Sequence, residues 1–148
     1  MTISFFSFLK LRSLKLKNYL WWTILFSQLA FSHDFTGHYQ CEGKDSTEGA
    51  YQGEVIMNKK TEFTQEDYAS YDFVLKVPGF GDYHGFAAAN GLDVAIYFGL
   101  KDLKNQDYGV GIAKFEKTNN QQWKFHKFYF EPAYEGGNIG FEDCTQVK

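Results

Sequence analysis

The chain of 148 residues holds four histidines, two cysteines and 18 acidic residues, and these are the side chains that could carry chemistry. His33, His38, His84 and His126 are scattered along the chain. Metal sites need His or Cys at tight spacing, such as i, i+2 on a strand or i, i+4 on a helix, and none of the four has such a neighbour. A chain cut after Ser32 would begin at His33, and an N-terminal histidine with a second histidine can hold copper. Cleaved chains commonly begin with an arbitrary residue, so no metal ligand is assigned. The acidic stretch Lys44-Asp45-Ser46-Thr47-Glu48 lacks the D-x-[DN]-x-[DN]-G order of a calcium loop and reads as solvated, as does Thr64–Asp67. No G-x-S-x-G, H-E-x-x-H, C-x-x-C or P-loop occurs. Catalysis is therefore the minority reading, and no catalytic residue or cofactor is assigned.

Lys127 and Glu142 are the two charges whose positions raise a question. In Trp123–Glu131, Lys127 shares its period-2 face with Trp123, Phe125 and Tyr129. In Asn138–Val147, Glu142 shares its face with Cys144, while Ile139 and Phe141 occupy the opposite face. If Ile139 and Phe141 point inward, Cys144 points out. Yet Cys41 lies on the face of Phe35 and Tyr39, which look like core. If the cysteine side faces inward, Glu142 enters the interior and can meet Lys127 on the neighbouring strand. An unpaired charge there would cost several kcal/mol, so the two would need each other or a ligand. The competing expectation is a bulge that turns both to solvent.

The first 32 residues differ from the rest. They carry Lys10, Arg12, Lys15 and Lys17 but no acid, then an apolar run from Tyr19, then Ala30-Phe31-Ser32. A basic region, a short apolar region and small residues before a cut read as a secretory signal peptide over residues 1–32, with an uncleaved anchor helix as the alternative. The remaining 116 residues hold 11 basic and 18 acidic side chains, a net charge of −7. That sign excludes nucleic acid and anionic membrane as natural partners. Export implies an oxidising compartment, periplasmic or extracellular, so Cys41 and Cys144 are expected to pair rather than remain two buried thiols.

Residues 33–148 read as one β domain. Asn90-Gly91 between two apolar runs is the strongest hairpin signal. A two-residue loop there would set Ala89 opposite Leu92, Ala87 opposite Val94, Gly85 opposite Ile96 and Tyr83 opposite Phe98. Further strands are expected at Phe35–Cys41, Tyr51–Lys59, Tyr71–Val77, Tyr108–Phe115, Trp123–Glu131 and Asn138–Val147, with Lys60–Ala69 as a longer charged loop. Eight short strands in sequence form an antiparallel up-and-down sheet, and closing it into a barrel removes the edges. Cys41 and Cys144 then fall on the two strands that meet at the seam. A sandwich is the alternative, disfavoured by the near absence of long crossovers.

The order of F-x-G-x-Y-x-C (Phe35 to Cys41), Y-x-F-x-L-x-V (Tyr71 to Val77), Y-G-V-G-I-A (Tyr108 to Ala113), W-x-F (Trp123 to Phe125) and G-G-x-I-G-x-E-x-C (Gly136 to Cys144) resembles the lipocalin-like meander barrels of small exported bacterial proteins. The resemblance implies the fold and no activity. The G-x-W of lipocalins proper is replaced by Gly37-His38-Tyr39.

Two functions follow from such a barrel. The leading one is binding of a small apolar or amphipathic ligand inside, lined by Tyr39, Phe73, Val94, Ile96, Phe98, Tyr108, Trp123, Phe125 and Tyr129, with Lys127 and Glu142 as polar anchors. The other is a filled barrel that binds or inhibits a protein partner through its loops, Lys60–Ala69 and Glu131–Gly137. An interior void of about 300 Å³ or more supports the first. A packed core with an exposed aromatic patch that includes Phe128 and Phe130 supports the second.

Overall fold

A computed structural model describes residues 33–101 and 107–148. The expected signal peptide, residues 1–32, lies outside the described residues. Eight antiparallel strands follow one another: β1 (Gly37–Asp45), β2 (Ala50–Gln65), β3 (Tyr68–Val77), β4 (Gly81–Asn90), β5 (Asp93–Leu100), β6 (Tyr108–Lys117), β7 (Trp123–Glu131) and β8 (Asn138–Gln146). Each pairs with the next, and β8 pairs with β1, so the sheet closes into an up-and-down barrel. Every strand that alternates in the sequence alternates in burial, because successive side chains leave a pleated strand on opposite faces.

Closure brings Cys41 directly opposite Cys144, and the two form a disulfide with Cα atoms 4.1 Å apart. The seam also decides the facing of the last two strands. Asn138, Gly140, Glu142 and Cys144 point inward, and Ile139 and Phe141 point out. The β1–β8 and β7–β8 registers run without interruption, so no bulge turns Lys127 or Glu142 to solvent.

Two expectations are corrected. The Lys60–Ala69 loop is absent: β2 continues to Gln65, Glu66 takes φ 53° in a tight turn, and β3 begins at Tyr68. Its charged residues are compatible with a strand because they stand on an outer, solvated surface. The β4–β5 hairpin turns on Gly91-Leu92, with Gly91 at φ 59°. Ala89 therefore faces Val94, Ala87 faces Ile96, Gly85 faces Phe98 and Tyr83 faces Leu100. Each partner shifts by two residues, so every side chain keeps its face.

The lower half of the interior is aromatic. Phe35 stacks on Phe115 with centroids 4.1 Å apart, Phe115 stacks on Phe125 at 4.6 Å, and Trp123 meets Phe35 edge-on at 4.8 Å. The Tyr39 hydroxyl donates to the carbonyl of Phe35 at 2.7 Å, which satisfies its one buried polar atom. The upper half is different and holds the polar groups.

Candidate functional site

Lys127 on β7 and Glu142 on β8 face each other directly across the ladder, and both are fully buried. Nζ lies 2.6 Å from Oε2. Tyr51, from β2 on the far side of β1, donates its hydroxyl to Glu142 Oε1 at 2.5 Å, and the Tyr129 hydroxyl lies 3.2 Å from that of Tyr51. The ammonium contacts Glu142 as an ion pair, with no well-aligned hydrogen-bond acceptor among the described residues. Three rings surround it instead, with the centroids of Phe98, Tyr129 and Phe73 at 4.7, 5.1 and 5.4 Å. Ring faces stabilise a desolvated cation electrostatically, so they supply part of what water would. Burial, with the Glu142 charge beside it, pushes the Tyr51 hydroxyl far above its ordinary range, and burial raises Tyr129 as well. Both phenols therefore stay protonated, and Tyr51 serves as the donor to Glu142.

Glycines make room for this group. Gly43 faces Tyr51 and Gly140 faces Tyr129 across their ladders, and a Cβ at either would overlap the ring opposite. The stem of Lys127 passes close over Gly111.

Above the ion pair lies the barrel end that carries the β1–β2, β3–β4 and β7–β8 turns. Glu131, on the same face of β7 as Lys127, is nine-tenths buried and accepts from Asn138 Nδ2 at 2.6 Å. Asn138 Oδ1 in turn accepts from Ser46 Oγ at 2.7 Å. Tyr83 donates to Asp107 Oδ2 at 2.8 Å, and Tyr134 donates to Glu48 Oε1 at 2.9 Å. Burial pushes Glu131 up from 4.5 to about 7, although the Asn138 amide opposes the shift, and burial raises Asp107 too. The pocket here is about 40 Å³ and is lined by Tyr51, Tyr83, Phe98, Tyr129, Tyr134 and Glu131, among others.

The sequence-predicted residues divide cleanly. Tyr39, Phe73, Phe98, Trp123, Phe125, Lys127, Tyr129 and Glu142 all point inward and are buried. Tyr108 does not: it opens β6 on the outward face, because Gly109 takes the inward position. The inward rings pack on one another rather than around a ligand-sized void. Tyr51, Tyr83, Glu131, Asn138 and Asp107 were not foreseen. Glu131 could have been found, since positions 127, 129 and 131 share one face, as do Asn138 and Glu142. The disulfide consumes both thiols of the Cys41–Glu142–Cys144 group, the one set of close metal-ligating atoms among the described residues.

The outer wall carries a second feature. Two cross-strand rows run side by side across five strands: Ala88, Ala95, Ile112, Phe128 and Phe141, then Phe86, Tyr97, Val110, Phe130 and Ile139. Phe86 is 64% exposed and Ile112 is 68% exposed. Beside the first row lie Asp93, Lys114, His126 and Asp143, which pair among themselves, Lys114 to Asp93 at 3.0 Å and His126 to Asp143 at 2.8 Å. The outer positions of β1 and β2 are by contrast polar, among them Gln40, Glu42, Lys44, Gln52 and Asn58. No protein-family model and no curated protein matches the chain.

Proposed function

We propose that this barrel is a filled scaffold that works through its outer wall, and that the aromatic face on β4–β8 docks a second copy of the same chain. The observation that carries the reading is the pairing of a packed interior, whose pocket is about 40 Å³, with two exposed apolar rows. Eight large side chains at roughly 100 Å² of exposed area each offer roughly 800 Å². That exceeds the largest patch of an ordinary monomer, about 300–600 Å², and matches one partner's share of a standard interface, about 800 Å².

A second copy is the occupant that fits best. The face carries projections and a hollow together: Ile112 and Phe86 stand out beside the small Ala88 and Ala95, which floor a shallow depression. Self-complementarity of that kind is what a two-fold contact requires. The charged row at its edge is internally paired, so two acidic chains could approach there without direct repulsion. A lipid-facing band would have to encircle the barrel, and the polar outer positions of β1 and β2 interrupt any such band. Export to an oxidising compartment belongs to the same proposal, and the Cys41–Cys144 disulfide is what supports it. So does the likeness to exported lipocalin-like barrels, with the working surface moved from the interior to the wall.

Sedimentation equilibrium on protein purified from an exporting host tests the reading. The expected result is a dimer at micromolar concentration, and a monomer with unchanged far-UV circular dichroism after Ile112→Glu. A wild-type chain that stays monomeric at millimolar concentration, whether or not it binds vesicles or other proteins, overturns it.

A further inference from the structure

We infer that the mouth of the barrel is a binding site for a small organic cation, an amine or methylated ammonium headgroup. The inference is independent of the dimer and uses the opposite side of the wall.

The site is a cavity of about 40 Å³, larger than one water needs and too small for a whole drug-sized molecule. A headgroup fits that scale, and a longer tail would have to stay outside. Tyr51, Tyr83, Phe98, Tyr129 and Tyr134 wall it, and such ring clusters attract weakly hydrated cations. Among the described residues its charged lining is acidic: Asp45, Glu48 and Glu131, and Tyr83 in its wall donates to Asp107. Among the described residues no lysine or histidine lines it, and Lys127 beneath is already engaged by Glu142.

The burial of Glu131 points the same way. Glu131 is nine-tenths buried, and only its Oε2 has a hydrogen-bond donor among the described residues. A carboxylate buried this deeply has lost most of its water, and an ammonium seated in the cavity would bring Glu131 a compensating charge. A metal ion fits less well. The described mouth carboxylates each have their own protein partner, and among the described residues they do not bring three ligand atoms together. Rings also contribute little to a hard cation that needs oxygen ligands all round.

The test is titration of the exported, purified protein with methylammonium and with tetramethylammonium, followed by nuclear magnetic resonance shifts and calorimetry. Sodium at equal ionic strength is the control. Saturable binding is expected for at least one of the two. Glu131→Gln and, separately, Tyr134→Ala should each weaken it by about tenfold. Tyr134 is largely outside the core, so its variant reports on binding even where Glu131→Gln disturbs folding. Affinity should rise as pH increases through about 7, where Glu131 ionises among Asp45, Asp107, Lys127 and Glu142. Shifts no larger than those from sodium overturn the inference. So does binding that both variants leave unchanged.

Discussion

Replacing Lys127 by methionine would expose how the interior is balanced. The methionine keeps most of the stem that packs against Gly111 and beneath Phe73, Phe98 and Tyr129, so little volume is lost. What disappears is the cation 2.6 Å from a carboxylate with no solvent exposure. Glu142 would keep only the Tyr51 hydroxyl as donor. Removing one partner of a buried pair typically costs about 3–5 kcal/mol, because the other charge is left desolvated and uncompensated. Against a total stability of about 5–15 kcal/mol for such a domain, that is a large fraction. Urea unfolding followed by far-UV circular dichroism measures it, together with a fall in Tm of roughly 10–25 °C. The double variant Lys127→Met/Glu142→Gln keeps an acceptor for Tyr51 and removes both charges. It should recover to within about 2 kcal/mol of wild type, since an ion pair replaced as a unit is often nearly neutral. A loss below about 1 kcal/mol for Lys127→Met would refute the reasoning, as would single effects that simply add in the double variant.

Three further outcomes are expected. Glu131 has its folded-state value raised from 4.5 to about 7, so the stability linked to its protonated form is complete below pH 4.5 and is lost as pH rises through 7. Glu131→Gln should therefore match wild type near pH 4 and exceed it by up to about 3 kcal/mol near pH 9, read as urea midpoints without added amine. Gly140→Ala should cost about 1–3 kcal/mol, because the new methyl group displaces the Tyr129 ring from Tyr51; an unchanged midpoint would contradict the packing described. The disulfide spans a sequence separation of 103 residues, so its reduction should cost about 4–5 kcal/mol on the chain-entropy account. Alkylation of denatured, unreduced protein should label neither cysteine, and two labels would show that the bridge is absent.

Much of the fold is legible in the sequence because a strand's side chains alternate with period two, and the turn residues mark where the alternation restarts. Trp123–Glu131 is recovered to the residue, and the other strands differ mainly at their ends. The hairpin at Asn90-Gly91 shows the limit of local signals. A register shifted by two leaves every face unchanged, so the alternation of Ala87, Ala89, Val94 and Ile96 is equally satisfied by either pairing. Lys60–Gln65 reads as loop because charge resembles solvation, and on the outer wall of a barrel a strand is solvated too.

What the sequence determined by itself is the set of strands, their order, and the co-facial grouping of Lys127 with Trp123, Phe125 and Tyr129, and of Glu142 with Cys144. What only the tertiary structure decided is which side of β7 and β8 is the inside. Both faces of β7 carry large apolar residues, and in β8 the large apolar residues Ile139 and Phe141 lie on the face that turns out, so hydrophobicity does not pick the inside. Closure does: Cys144 must meet Cys41 at the seam, and the pleat then carries Glu142 inward and Phe141 outward. The buried ion pair, the inward Tyr129 and the outward Phe128, Phe130, Ile139 and Phe141 follow from that one choice of face.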